Sequence, residues 1–209
     1  LRPDGKTAYT RVIGWGDQLL DPSNEAHQKL RAAWPAPDPQ PLSGFRLMAD
    51  EDVVLETTAG RIRFAMRPDE APNTARNFTE LAARGFYDGT IVHRIVPADR
   101  NGKPFVIQGG DPTGTGTGGP GYSFADELPE AGEYEIGSIA MANSGPDTNG
   151  SQFFIITGEN GAALPPSYSL FGTVTEGFDE TVVAMEAAGT ASGTPSEPVD
   201  IESVVIITN

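Results

Sequence analysis

Two short runs carry the side chains that could do chemistry. They are Val92-His93-Arg94-Ile95-Val96-Pro97 and, after a polar insert, Phe105-Val106-Ile107-Gln108-Gly109-Gly110-Asp111. Together they place one permanent cation, one imidazole, one amide and apolar side chains on residues of strand type. Alternate residues of a strand share a face, so His93 and Arg94 are expected on opposite sides, with Phe105 one strand away. The chain has no cysteine, and no Ser-His-Asp pattern stands out, so an activated nucleophile is not indicated. A guanidinium beside apolar residues suits another task. It can hold a neutral, partly apolar group and hydrogen-bond its carbonyl.

Other chemistries fit less well. Thr113-Gly114-Thr115-Gly116-Thr117-Gly118-Gly119 is glycine-rich, but it lacks the Lys-Ser/Thr and the following helix of a phosphate loop. The adjacent carboxylates Asp69-Glu70 and Asp126-Glu127 invite comparison with glycosidases. Sequence neighbours point apart in strands, so they read as solvated turn charges. His93 has one other histidine in the chain, His27, which is too few for a metal site; no metal and no cofactor are expected.

His93-Arg94-Ile95-Val96-Pro97 followed by Phe105-Val106-Ile107-Gln108-Gly109-Gly110-Asp111 resembles the signature of the cyclophilin-type peptidyl-prolyl cis-trans isomerases. A second block, Met141-Ala142-Asn143-Ser144-Gly145-Pro146-Asp147-Thr148-Asn149-Gly150-Ser151-Gln152-Phe153-Phe154-Ile155, is similar to that family's other hallmark. The resemblance covers about residues 52 to 208 and leaves out the first fifty. It implies a mainly β fold: a closed eight-stranded antiparallel β-barrel capped by two α-helices. It also implies a role for Arg94 as the donor that stabilises a twisted X-Pro amide. Phe105, Val106, Phe154 and Leu164 would form the proline pocket, with Val106 where many members have Met. Gln108 and Gln152 would orient Arg94 and the substrate backbone. Asn143, flanked by Ala142 and Ser144, would pair with the peptide through its main chain. His93 would sit at the rim, and Gly116 in the loop lining the groove.

Two departures from the family pattern stand out. Ala98-Asp99-Arg100-Asn101-Gly102-Lys103 is an insert beside the expected pocket. The segment Leu164-Pro165-Pro166-Ser167-Tyr168-Ser169-Leu170-Phe171-Gly172 replaces one in which many members read Trp-Leu-Asp-Gly-Lys-His. Ala163 then stands at the Trp position and Tyr168 at the His position. Because that Trp is a cyclosporin contact in the family, weakened cyclosporin binding is expected.

The elements that must position these residues are mostly strands. Val53–Thr57 and Arg61–Ala65 flank Thr58-Ala59-Gly60 and predict a hairpin. Pro72 to about Arg84 predicts a helix, with Phe78, Leu81 and Ala82 as its apolar stripe and Gly85 as its stop. Further strands are predicted over 90–96, 106–109, 136–141, 153–157, 171–175 and 201–208, and a second helix over 181–188. The 25 Gly and 18 Pro of this 209-residue chain fit a turn-rich β fold, and its length is ample for a core without disulfides. Residues 1–51 read as an N-terminal extension. It holds a helix opened by Asp21-Pro22, both tryptophans (Trp15 and Trp34), and a semi-rigid linker from Pro35 to Pro41. Residues 52–209 read as the domain proper.

The net charge of −15 is unevenly placed. All 14 Lys and Arg lie in residues 1–103 with 14 of the 29 Asp and Glu, so residues 104–209 carry the whole acidic excess. Binding to nucleic acid is disfavoured, because it needs clustered cations, and so is binding to an anionic membrane surface. The acidic field favours neutral or cationic peptide partners; the family resemblance implies that these are proline-containing polypeptides, and a monomer is expected. No apolar run approaches the roughly 20 residues of a membrane span. The chain begins at Leu1 rather than Met, so an upstream segment is expected and an exported or tethered protein is favoured over a cytoplasmic one. Three functional readings remain in play. The chain is an active isomerase, or a proline-binding, chaperone-like module with incidental or no catalysis, or a domain docked on a larger assembly through its extension.

Overall fold

The computed structural model describes residues 51–96 and 104–208. The extension, with its tryptophans, helix and linker, and the 98–103 insert lie outside the described residues. Eight strands form one antiparallel sheet: β1 Glu51–Thr57, β2 Gly60–Met66, β3 Arg94–Val96, β4 Val106–Gly109, β5 Ser138–Met141, β6 Phe153–Ile156, β7 Leu170–Glu176 and β8 Ile201–Thr208. Their spatial order is β3-β4-β6-β5-β7-β2-β1-β8. The sheet curls until its ends meet at a seam of irregular backbone. There Val92 N–H donates to Val199 C=O (2.8 Å), Gly89 N–H to Ile201 C=O (2.8 Å) and Ile201 N–H to Thr90 C=O (2.8 Å). The strand expected over 90–96 is therefore split. Residues 90–92 serve the seam, and Arg94–Val96 alone pairs with β4.

The hairpin β1–β2 closes tightly, with Thr57 opposite Gly60. Helix α1 runs Pro72–Ala82 and begins with proline, whose fixed φ suits a first turn. It ends in a Schellman motif: Phe86 N–H bonds Leu81 C=O (3.1 Å) and Gly85 N–H bonds Ala82 C=O (2.9 Å). Gly85 takes φ +68, where a side chain would be strained. The late helix departs from expectation. A wide π-type turn, Phe178–Val182, runs into a short α3, Val183–Glu186. A one-turn helix that the sequence did not announce, α2, spans Glu159–Ala162.

Two apolar clusters lie on opposite faces of the sheet. The inner one centres on Phe64, Phe78, Tyr87, Phe153 and Phe171. Phe78 stacks on Tyr87 at 4.8 Å between ring centroids and meets Phe153 edge-on at 5.4 Å. The outer one is smaller: Val106, Tyr134, Ala140, Phe154, Ile156 and Leu170. Strand alternation sorts them. In β6, Phe153 and Ile155 point inward, while Phe154 and Ile156 point outward. In β4 Ile107 is inward and Val106 outward; in β5 Ile139 and Met141 are inward and Ala140 outward.

Candidate active site

The outer cluster is the base of the site. Arg94, Gln108, Phe154 and Ala140 stand opposite one another on adjacent strands β3, β4, β6 and β5, forming one cross-strand row. One rung along, Val96, Val106 and Ile156 form a second row. The register thus sets a guanidinium, an amide and an aromatic ring side by side on one surface. Above them is a cavity of about 240 Å³. Phe105, Val106, Phe154 and Leu164 are its apolar lining; Arg94, Gln108, Asn143, Ala142 and Tyr168 complete it. The pocket is separate from the barrel interior and is built on the other face of the sheet, rather than being an outgrowth of the main core.

A relay of amides holds the guanidinium. Arg94 Nη1 donates to Gln108 Oε1 (3.2 Å), Gln108 Nε2 to Gln152 Oε1 (2.9 Å), and Gln152 Nε2 to the Gly118 carbonyl (2.8 Å). Among the described residues no carboxylate forms an ion pair with Arg94, whereas Arg61, Arg67 and Arg76 each have one and Arg63 has two. Arg94 is partly buried, and among the described residues its one side-chain hydrogen bond is to Gln108.

A second, wider cavity of about 490 Å³ adjoins the first and shares Gln108, Ala142 and Asn143 with it. Gly116, Ser144 and Gln152 line this one and not the smaller pocket. The side chain of Asn143 ties its own loop to the segment before β7. Its Nδ2 donates to the Ser167 carbonyl (2.8 Å) and its Oδ1 accepts from Gly145 N–H (3.3 Å).

His93, expected at the rim, lines neither cavity. Its ring lies under the glycine-rich loop, where a Cβ on Gly116 would come within 3.6 Å of it. Both ring nitrogens are buried with no hydrogen-bond partner among the described residues. Burial lowers its pKa from the usual 6.5; Asp111 opposes that shift and Arg94 adds to it. The loop itself is folded around Asp111. That carboxylate accepts from Thr113 N–H (2.7 Å), Thr113 Oγ1 (2.8 Å), Gly116 N–H (2.6 Å) and Gly118 N–H (3.1 Å). Burial pushes the Asp111 pKa up, but those bonds outweigh it and hold the carboxyl below its ordinary value.

The two acidic pairs differ: Asp69-Glu70 lies exposed in a turn, as the sequence reads, whereas Asp126-Glu127 is built into the fold. Glu127 accepts four hydrogen bonds at the start of α1. Asp126 and Asp147 each accept the other's backbone N–H at 2.9 Å. In the first pair, Glu70 forms an ion pair with Arg67. No local signal marks Glu127 as a cap, because its helix lies 53 residues earlier in the chain.

A single curled antiparallel sheet bearing an arginine over an apolar, amide-rimmed pocket on its outer face defines a β-barrel domain with a binding pocket on its outer surface. Residues 52–206 match the family model "Cyclophilin type peptidyl-prolyl cis-trans isomerase/CLD". The chain therefore belongs to the cyclophilin-type peptidyl-prolyl cis-trans isomerases, which act on proline-containing peptides. It is 43% identical over 173 residues to peptidyl-prolyl cis-trans isomerase B of Streptomyces anulatus, an alignment covering 74% of this chain and 95% of that one. With peptidyl-prolyl cis-trans isomerase A of Mycobacterium tuberculosis it shares 41% identity, over 76% of this chain and 93% of the relative. A crystal structure of a cyclophilin type isomerase from Cryptosporidium parvum superimposes with a TM-score of 0.67 at 36% identity, covering 77% of this chain and 99% of the other. A second crystal structure of that protein, in the presence of the dipeptide Ala-Pro, gives 0.66.

Proposed function

We propose that this chain accelerates rotation about X-Pro bonds by electrostatic stabilisation of the twisted amide at Arg94, with no covalent intermediate. Rotation is slow because it breaks amide resonance, at a barrier of about 18–20 kcal/mol. In the twisted state the prolyl nitrogen pyramidalises and becomes a hydrogen-bond acceptor. A donor near that nitrogen binds the transition state better than either planar isomer, which is what catalysis requires. Phe105, Val106, Phe154 and Leu164 hold the ring, Arg94 supplies the donor, and Gln108 and Gln152 keep it aimed. Asn143 offers its main chain to the peptide, while Ala142, Ser144 and Gly116 shape the groove beyond. Tyr168 closes the pocket wall. The observation that carries this reading is Arg94 itself, held by an amide at the edge of an apolar cavity with no carboxylate partner among the described residues.

The test is a proline isomerisation assay on an Ala-Pro peptide with wild type and Arg94→Ala. Loss of a charged hydrogen bond worth about 1.5–3 kcal/mol predicts a fall of roughly 10- to 150-fold in kcat/KM. Equal rates for the two proteins refute the mechanism. A wild type that binds the peptide without isomerising it makes the chain a proline-binding module instead. Cyclosporin is expected to inhibit weakly, because Ala163 offers a methyl group where the family presents an indole. Inhibition in the nanomolar range overturns that expectation.

A further inference from the structure

Tyr134 lies in the connection before β5 and is not itself among the residues that line the smaller pocket. Its side chain is 4% exposed and packs in the outer cluster beside Val106 and Phe154. Its hydroxyl engages one residue twice: it donates to the Tyr168 carbonyl at 2.7 Å and accepts from the Tyr168 N–H at 3.0 Å. Tyr168 precedes β7, so no strand partner holds its peptide. The phenol supplies both bonds that a neighbouring strand would give. The Tyr168 ring meets Phe154 edge-on, with centroids 5.2 Å apart and planes at 90°, and both residues line the smaller cavity. The peptide before it is fixed from the opposite wall, where Asn143 Nδ2 donates to the Ser167 carbonyl.

We infer that Tyr134 is a positioning residue for substrate binding: its hydroxyl clamps the Tyr168 backbone so that the Tyr168 ring forms the fixed wall of the proline pocket. This rests on the reading that the smaller cavity takes the proline ring. Among the described residues the Tyr134 hydroxyl makes no hydrogen bond to Arg94 or the amide relay, so the wall it holds is expected to contact planar and twisted substrate alike. Such uniform binding acts on KM and not on kcat.

The experiment uses the full chain. Tyr134→Phe keeps the ring and removes the hydroxyl. The expected result is a KM, and a Kd for an Ala-Pro peptide by titration, raised about five- to tenfold, with kcat within twofold of wild type. Because Tyr134 acts through Tyr168, the double variant Tyr134→Phe/Tyr168→Ala is expected to match Tyr168→Ala alone. A Tyr134→Phe protein with lower thermal stability but unchanged KM and Kd makes the hydroxyl merely structural and overturns the inference. Effects that add in the double variant overturn it equally. Amide hydrogen exchange on the wild type needs no variant to fold: the Tyr168 N–H is expected to be protected, and more so with the peptide bound. Exchange at an unprotected rate refutes the clamp. If the wild type isomerises nothing, the proposed mechanism falls, yet the Kd still reads the clamp.

Discussion

Replacing Glu127 by Ala removes the cap of helix α1 from a residue that no local pattern connects to it. Ala71, at the helix N-cap position, offers no side-chain hydrogen bond. Glu127 takes its place: Oε1 accepts from Asn73 N–H (3.1 Å) and Nδ2 (2.9 Å), and Oε2 from Thr74 N–H (2.8 Å) and Oγ1 (2.8 Å). The negative charge also meets the positive end of the helix dipole. A lost N-cap costs about 1 kcal/mol, with a range of roughly 0.5–2. Thr74 is 0% exposed, so its groups lose a partner with no water in reach, at about 1–3 kcal/mol. The two overlap, and a total near 2–4 kcal/mol is expected. For a domain of this size that is a Tm lower by about 5–15 °C. Urea unfolding followed by circular dichroism at neutral pH measures it, with an unchanged m-value showing that stability alone moved. Glu127→Gln, which keeps one good acceptor, is expected to lose about half as much. An Ala variant within about 0.5 kcal/mol of wild type, the size of an ordinary surface change, refutes the capping argument.

Three further outcomes follow from the same geometry. Gln108→Leu removes the acceptor that holds Arg94 Nη1 while keeping the pocket's bulk. Isomerisation of an Ala-Pro peptide is expected to fall roughly 5- to 30-fold for the loss of about 1–2 kcal/mol of aim, and a change under twofold shows that Arg94 aims itself. His93 has a folded-state pKa below its usual 6.5, so the unfolded chain takes the proton first. Its contribution to stability is complete above about pH 6.5 and is lost as the pH falls through the window beneath it. Asp111, depressed from 3.8, adds a second loss below that value. Urea titrations from pH 7.5 to 5 are expected to show falling stability that His93→Phe flattens, and an equal slope in the variant refutes the assignment. Gly110 takes φ +81, and a Cβ there would lie 2.5 Å from the Ser151 carbonyl oxygen. Gly110→Ala is expected to cost more than about 2 kcal/mol, read by the same denaturation, and a cost under about 0.5 kcal/mol contradicts the strain.

Some of this molecule is legible residue by residue. The hairpin around Thr58-Ala59, the helix from Pro72 to its glycine stop and the strands of β4, β6 and β8 are written in nearest-neighbour chemistry. Turn formers, a proline at a first helical turn and short β-branched runs act within a few residues, so one chain is enough to read them. The failures are as instructive. Residues 90–92 look like a continuation of β3, yet they bond residues 199–201 at the seam. The second helix shrinks behind a π-type turn that Thr181 anchors to the Arg61 carbonyl (2.9 Å). Asp126 and Glu127 read as solvent charges until the fold brings Asp147 and α1 against them.

The sequence by itself determined which residue types alternate along each strand and which two blocks carry the family signature. It could therefore name Arg94, Gln108 and Phe154 as residues of interest. Alternation shows which residues share a face, but not which faces meet or which strands are neighbours. The tertiary structure decided that Arg94, Gln108 and Phe154 stand in one row across β3, β4 and β6, on the face opposite the main core. It also sent His93 beneath the Asp111 loop rather than to the rim, and it gave Tyr134 a partner 34 residues away. Each of these depends on pairing between distant segments. Such pairing is set by the closure of the whole sheet, which no local stretch of sequence contains.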